Sequence, residues 1–152
     1  MSGGAKGASR ARAAARLAAV QALYQHEMEK TELPMLLDEF HRHRLGAEIE
    51  DTQYAEAEVA FFDDVVKGTL ARRDEIDALV SGKLAEGWKL ERLDRTLAQI
   101  LRAGAYELLA RADVPTGTAI SEYLDVAHAF FDAKEARFVN GVLDAVAKAV
   151  RS

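Results

Sequence analysis

The chain has 152 residues, of which 49% are hydrophobic and none is cysteine, and its formal net charge is −5. This length supports one domain, or two small subdomains that share a core. The lack of cysteine excludes disulfides and thiolate chemistry and fits a reducing compartment, and no run of about 18 apolar residues is present to span a membrane. Only two prolines and no alternating strand-like runs predict an all-α fold.

Charge is unevenly distributed along the sequence. Residues 1–24 carry four basic residues and no acidic one, whereas residues 25–66 carry twelve acidic residues against three basic ones. The net acidic charge argues against a nucleic-acid partner, but the separate basic segment keeps that class of partner open.

The first predicted helix follows a short tail. Residues 1–8 are small and glycine-rich, which predicts a disordered tail. Ser9 is the expected N-cap of a helix that ends near Glu29. The face predicted to enter the core consists of Ala13, Leu17, Val20, Tyr24 and Met28.

Arg12 and Arg16 lie one turn apart near the start of this helix, where positive charge opposes the helix dipole. That unfavourable position suggests a use, and the guanidinium fork is suited to bind phosphate. Two other interpretations remain: an ordinary solvated helix start, and an Arg-rich transit peptide. The apolar face that continues to Met28 argues against the transit peptide.

The next segments predict three more helices. Pro34 begins a short helix that ends near Arg44, and an acidic loop is expected at 46–53. His41 and His43 are two positions apart on that helix and point to nearly opposite sides, so they do not form a metal site. Apolar spacing from Val59 to Leu84 predicts two consecutive helices, with a break between Gly68 and Asp74. Trp88 is expected to cover the junction between the two halves of the chain.

The second half predicts three helices with short connections. The first spans 93–110, with Asp94 at its N-terminus and Gly104 at a close helix crossing. A turn at 113–115 precedes a helix over 118–131 that directs Ile120, Leu124, Ala127 and Phe131 inward.

The last predicted helix spans 134–151, and Asp132 is its expected cap. Asn140 and Gly141 lie inside it and together cost about 1–2 kcal/mol relative to alanines. Either Gly141 allows another helix to pack closely, or Phe138 and Asn140 belong to a surface that meets a partner.

Catalytic and cofactor patterns are absent from the sequence. The sequence shows no arrangement of a nucleophile with a base, and no glycine-rich phosphate loop before a helix. The acidic residues are typical of solvated helix faces. We therefore expect a protein that is not an enzyme and that uses no cofactor or metal.

Several short segments together resemble the NusB family of transcription antitermination factors. These segments are Ala15-Arg16, Val20 to Tyr24, Phe62, Val66-Lys67-Gly68, Ile100-Leu101-Arg102, Tyr106-Glu107-Leu108, Asp113-Val114-Pro115, Ile120-Ser121-Glu122 and Phe138 to Asp144. The resemblance runs in register from about residue 10 to residue 150. A related domain opens some ribosomal RNA cytosine methyltransferases, but no methyltransferase domain follows in this sequence, which favours a free-standing protein.

The resemblance implies a fold and a function. The fold is two roughly perpendicular three-helix bundles with six or seven helices, forming one domain over 9–152 whose subdomains are about 9–88 and 89–152. The function is transcription antitermination in the cytoplasm. In it, the chain and the ribosomal protein NusE together bind boxA RNA and act on the transcription elongation complex. The RNA-binding residues implied are Arg12, Arg16, Tyr24, Phe130, Arg137 and Phe138.

The sequence also departs from the family pattern. Ala13, Ala14 and Ala15 replace arginines that many relatives have, and Lys134 occupies a position where an acidic residue can occur. Fewer phosphate contacts imply weaker RNA binding by the chain alone, a shallower salt dependence and a stronger dependence on NusE. The competing hypothesis is a helical adaptor or dimer without RNA contact, and the choice between a monomer and a homodimer stays open.

Overall fold

The computed structural model of the chain describes residues 2–43, 45 and 52–151, and every regular element in them is helical. The α-helices are α1 (Ser2–Glu29), α2 (Leu33–His43), α3 (Thr52–Ala71), α4 (Arg73–Ser81), α5 (Arg95–Ala110), α6 (Thr116–Phe130) and α7 (Ala133–Val150). The all-α prediction is confirmed. Most of the expected 46–53 loop lies outside the described residues, and Thr52 and Gln53 belong to α3. Among the described helices, none combines the length and the apolar content that a bilayer crossing requires.

Helix α1 begins earlier than the sequence predicts. It starts at Ser2, so Ser9 is an internal residue rather than the N-cap, and residues 2–8 form helical turns where a tail was expected. Gly7, in these turns, is buried. Once the alanine-rich part of the helix has formed, each added residue gains a backbone hydrogen bond, which offsets the helix penalty of the glycines.

The core face of α1 also differs from the prediction. The buried face is dominated by small side chains, whereas Tyr24 is 40% exposed and Met28 is 51% exposed. The fully or almost fully buried apolar residues of α1 are Ala11, Ala15, Ala18, Ala19, Val20, Ala22 and Leu23. Small side chains allow close packing of a helix, so they occupy the core while the larger Tyr24 and Met28 lie outside it.

The chain divides into two compact units, Met1–Lys67 and Gly68–Ser152. The sequence places this division near Trp88. The difference arises because α4 packs against α5 and α7, so it belongs with the second half of the chain.

In the first unit, aromatic packing joins α2 to α3. The rings of Phe40 and Phe62 are stacked with centroids 5.5 Å apart, and both side chains are buried. His41 packs edge-on against Phe62, and its Nε2 lies 2.6 Å from Oδ1 of Asp63. His41 therefore has a structural role, and the described residues hold no cluster of three potential metal ligands.

The predicted break between α3 and α4 is confirmed at Arg72. This residue leaves the helical conformation, with φ −110° and ψ 22°. Its guanidinium donates hydrogen bonds to both carboxylate oxygens of Glu75, which raises the pKa of Arg72 above its ordinary value. An exposed ion pair therefore spans the start of α4.

In the second unit, α5 is the central helix. All of its residues from Leu97 to Leu108 are buried, and α4, α6 and α7 each pack against it. The Asp94 side chain caps the helix by accepting hydrogen bonds from the backbone N–H groups of Thr96 and Leu97, whereas the sequence predicts only a favourable acidic charge at this N-terminus. The buried residues of α6 are Ala119, Tyr123, Val126 and Ala127, of which the sequence predicts only Ala127. The other residues that the sequence directs inward, Ile120, Leu124 and Phe131, are half-buried.

The two glycines singled out in the sequence have different roles. A Cβ on Gly104 would lie 2.8 Å from Cδ1 of Leu143 on α7, which confirms the predicted close helix crossing. A Cβ on Gly141 would meet nothing within 4 Å among the residues that the structure describes, and Asn140 and Gly141 are both exposed. The interpretation of Gly141 as a helix-packing residue is therefore wrong.

Candidate nucleic-acid interface

Arg12 and Arg16 lie on α1 and share one aromatic neighbour on α3. Their guanidinium carbons are 4.7 Å and 4.9 Å from the centroid of the Phe61 ring, within the range of a cation–π interaction. The two arginines differ in accessibility, because Arg16 is only 1% exposed whereas Arg12 is half-buried. Arg12 is therefore the arginine of this pair that can approach a phosphate group, and Arg16 lies within the fold.

Tyr24 lies further along α1 and presents its ring to solvent. The sequence gives it two roles, as a core residue and as an RNA-binding residue. Its exposure excludes the first role in this structure and leaves a phenol ring accessible for stacking.

The second unit carries four aromatic side chains that are exposed or half-buried. They are Trp88, Phe130, Phe131 and Phe138. Phe130 is 42% exposed at the end of α6, and its ring centroid is 6.4 Å from that of Phe131. Phe138 is half-buried on α7, where the exposed Arg137 precedes it.

Trp88 is not among the site residues predicted from the sequence. It is 59% exposed, and its ring centroid lies 6.1 Å from that of Phe138 with the ring planes tilted by 42°. This contact lies within the second unit. A signal was present in the sequence, since a tryptophan between Gly87 and Lys89 lies outside any apolar periodicity.

The predicted residues therefore fall into two groups. Arg12, Arg16 and Tyr24 belong to the first unit, and Phe130, Arg137 and Phe138 belong to the second. In RNA-binding proteins, unpaired bases stack on accessible aromatic rings and phosphates pair with nearby arginines or lysines.

Comparison with known proteins identifies the relatives of the chain. Residues 13–148 match the sequence model of the NusB family. The chain belongs to the NusB family. The resemblance noted in the sequence is thereby confirmed across most of its length.

Two relatives in this family are highly similar. A protein of Novosphingobium aromaticivorans, named transcription antitermination protein NusB, is 75% identical over 142 residues, covering 93% of this chain and 96% of that protein. A protein of Sphingopyxis alaskensis with the same name is 65% identical, covering 94% of this chain and 96% of that protein.

Solved structures of the family have the same fold. NusB of T. maritima is 33% identical with a TM-score of 0.75, and the match covers 90% of each chain. A chain from a crystal structure of antitermination factors NusB and NusE in complex with double-stranded RNA is 26% identical with a TM-score of 0.76, covering 92% of this chain and 98% of that chain.

Proposed function

We propose that the protein acts in transcription antitermination and binds boxA RNA together with the ribosomal protein NusE. The observation that carries this proposal is family membership, with a relative named as a transcription antitermination protein that is 75% identical across nearly the whole chain. The similar fold of a NusB chain in a complex with NusE and RNA supports the choice of partners. The role is binding rather than catalysis, exercised in the cytoplasm on the transcription elongation complex.

In this proposal the six predicted residues have distinct roles. Tyr24, Phe130 and Phe138 stack against bases, since their rings are exposed or half-buried. Arg12 and Arg137 pair with phosphates. Arg16 acts from within the fold, adding positive charge beside Phe61.

The test is a titration of labelled boxA RNA with and without NusE over a series of salt concentrations. The wild-type protein should bind RNA more tightly with NusE present. Phe130→Ala and Phe138→Ala should each weaken binding by about 5- to 150-fold, which corresponds to about 1–3 kcal/mol for one base–aromatic stack. Double-stranded RNA of the same sequence shows whether unpaired bases are needed.

Met35→Ala is the matched control, because Met35 is an exposed apolar residue of the first unit outside the predicted set. It should leave RNA affinity unchanged. If the wild-type protein does not bind the RNA with NusE present, the proposed function is wrong. If it binds and the two phenylalanine variants bind equally well, the assignment of these residues is wrong.

A further inference from the structure

Trp88 is displayed on a segment that is fixed on both sides. Its backbone N–H donates to the carbonyl of Ala85 in a turn that includes Gly87, whose φ of +88° favours glycine. After Trp88, the buried Leu90 and Leu93 anchor the chain to the second unit. The tryptophan ring is therefore presented on an ordered backbone.

Arg95 strengthens this anchor. Its guanidinium donates hydrogen bonds to the carbonyl of Leu90 at 2.7 Å and to the carbonyl of Leu93 at 2.8 Å. These bonds hold the short 3₁₀ turn at Leu90–Arg92 against the start of α5. A rigid support of this kind lowers the entropy lost when a ligand binds to the exposed ring.

The contact between Trp88 and Phe138 leaves most of the indole uncovered. The rings are tilted by 42° with centroids 6.1 Å apart, and the tryptophan remains 59% exposed. Exposed aromatic side chains in contact with one another, rather than scattered singly, are typical of binding sites on soluble proteins.

Cationic side chains lie close in sequence to both rings of the pair. Lys89 follows Trp88, and on α7 the exposed Lys134 and Arg137 lie within one turn of Phe138. The acidic residues nearby in sequence are Glu86, Glu91, Asp132 and Glu135, of which Glu135 is half-buried. On the α7 turn that carries Phe138, the exposed ionisable side chains are thus both cationic.

Gly141 lies one turn beyond Phe138 and adds space. It is exposed, and the space where a Cβ would lie contacts no other part of the described chain. Since no packing within the chain requires this glycine, the bare backbone leaves room for a ligand to approach α7 closely.

We infer that Trp88 and Phe138 form a stacking site for an unpaired base of bound RNA, with Lys89, Lys134 and Arg137 near its phosphates. This inference rests on the proposed function, because it takes RNA as the ligand. It adds Trp88 to the binding residues and extends the RNA surface to the segment before α5.

Trp88 also supplies the readout, because it is the only tryptophan in the chain. Base stacking on an indole quenches its fluorescence. Using NusE whose tryptophans are replaced by phenylalanine, addition of boxA RNA should quench the emission of Trp88 with the same midpoint as the anisotropy of labelled RNA. Trp88→Ala should weaken RNA binding by about 10-fold, and Trp88→Phe should keep it within about 3-fold of the wild type.

Three results overturn the inference. If the wild-type protein binds RNA but shows no quenching and Trp88→Ala binds equally well, the stacking site is absent while the proposed function stands. If NusE alone quenches the emission and Trp88→Ala weakens NusE binding only, Trp88 belongs to a protein interface. If the wild-type protein fails to bind RNA with NusE present, the proposed function and the inference both fail. Far-UV circular dichroism of each variant checks that it is folded.

Discussion

Gly68 on α3 lies directly against the phenol ring of Tyr106 on α5. A Cβ on Gly68 would overlap ring atoms Cζ and Cε1 of that tyrosine, whose side chain is buried. The glycine therefore makes room for the ring, although in the sequence it resembles a helix breaker.

This contact predicts opposite effects for two glycine substitutions. Gly141→Ala should raise the free energy of unfolding by about 0.5–1 kcal/mol, because alanine is the better helix former and the site is open. Gly68→Ala gains the same propensity but must displace the Tyr106 ring, and overpacking of this kind costs about 1–3 kcal/mol. Urea denaturation without RNA measures both. Equal stabilities of the two variants would contradict the close contact.

Arg151 holds the end of α5 and the turn that follows it. Its guanidinium donates to the backbone carbonyls of Glu107, Leu108, Arg111 and Val114, at distances from 2.6 to 3.1 Å. Arg151→Met should therefore lower the free energy of unfolding by at least about 2 kcal/mol, since hydrogen bonds from a charged group are worth about 1.5–3 kcal/mol each.

The control for Arg151 is Lys148→Met on the same helix. Lys148 is highly exposed and pairs with Asp144 across one helical turn at 3.0 Å, an interaction worth about 0.3–0.5 kcal/mol. Thermal unfolding should separate the two variants clearly. A loss of stability in Arg151→Met no larger than in Lys148→Met would refute the role of Arg151.

Tyr123 donates a hydrogen bond to the carboxylate of Glu107, and both side chains are fully buried. Tyr123→Phe removes the donor of a buried hydrogen bond to the carboxylate. This should lower the free energy of unfolding by about 1–3 kcal/mol. Urea denaturation of the wild type, Tyr123→Phe, Glu107→Gln and the double variant gives the coupling energy between the two side chains. A coupling energy near zero would show that the hydrogen bond contributes nothing to stability.

Arg12 and Arg16 should respond differently to substitution. Arg16→Gln removes a buried cation from Phe61 and should lower the free energy of unfolding by about 2 kcal/mol or more. Arg12→Gln should cost less stability than Arg16→Gln, because Arg12 is only half-buried. It should also reduce the salt dependence of RNA binding by about 0.7 in log–log slope, the loss of one phosphate contact on a single strand. The matched control is Arg42→Gln, an exposed arginine on α2. An unchanged slope for Arg12→Gln would exclude it from the phosphate-binding residues.

Much of the fold could be predicted from the sequence because strong local signals agree with the final packing. The break at Arg72 and the acidic Asp94 at the start of α5 follow from local charge and from the chemistry of helix ends. These features depend on residues close together in the chain, so tertiary contacts do not alter them.

The remaining features depend on contacts that hydrophobicity does not encode. In α1, alanines lie on several faces of the helix, so apolar spacing alone does not show which face is buried. The prediction therefore chose the face with the large Tyr24 and Met28, both of which are exposed. Gly104 and Gly141 look alike in sequence, yet only Gly104 faces another helix. The pairing of Trp88 with Phe138 joins residues fifty positions apart, which no local pattern could reveal.

The exposure of Trp88 has a practical consequence for spectroscopy of this protein. The indole is already largely hydrated in the native state, so its wavelength of maximum fluorescence emission should shift little when the chain is denatured. A shift of this emission wavelength during a titration can thus be ascribed to a bound molecule rather than to unfolding of the helices.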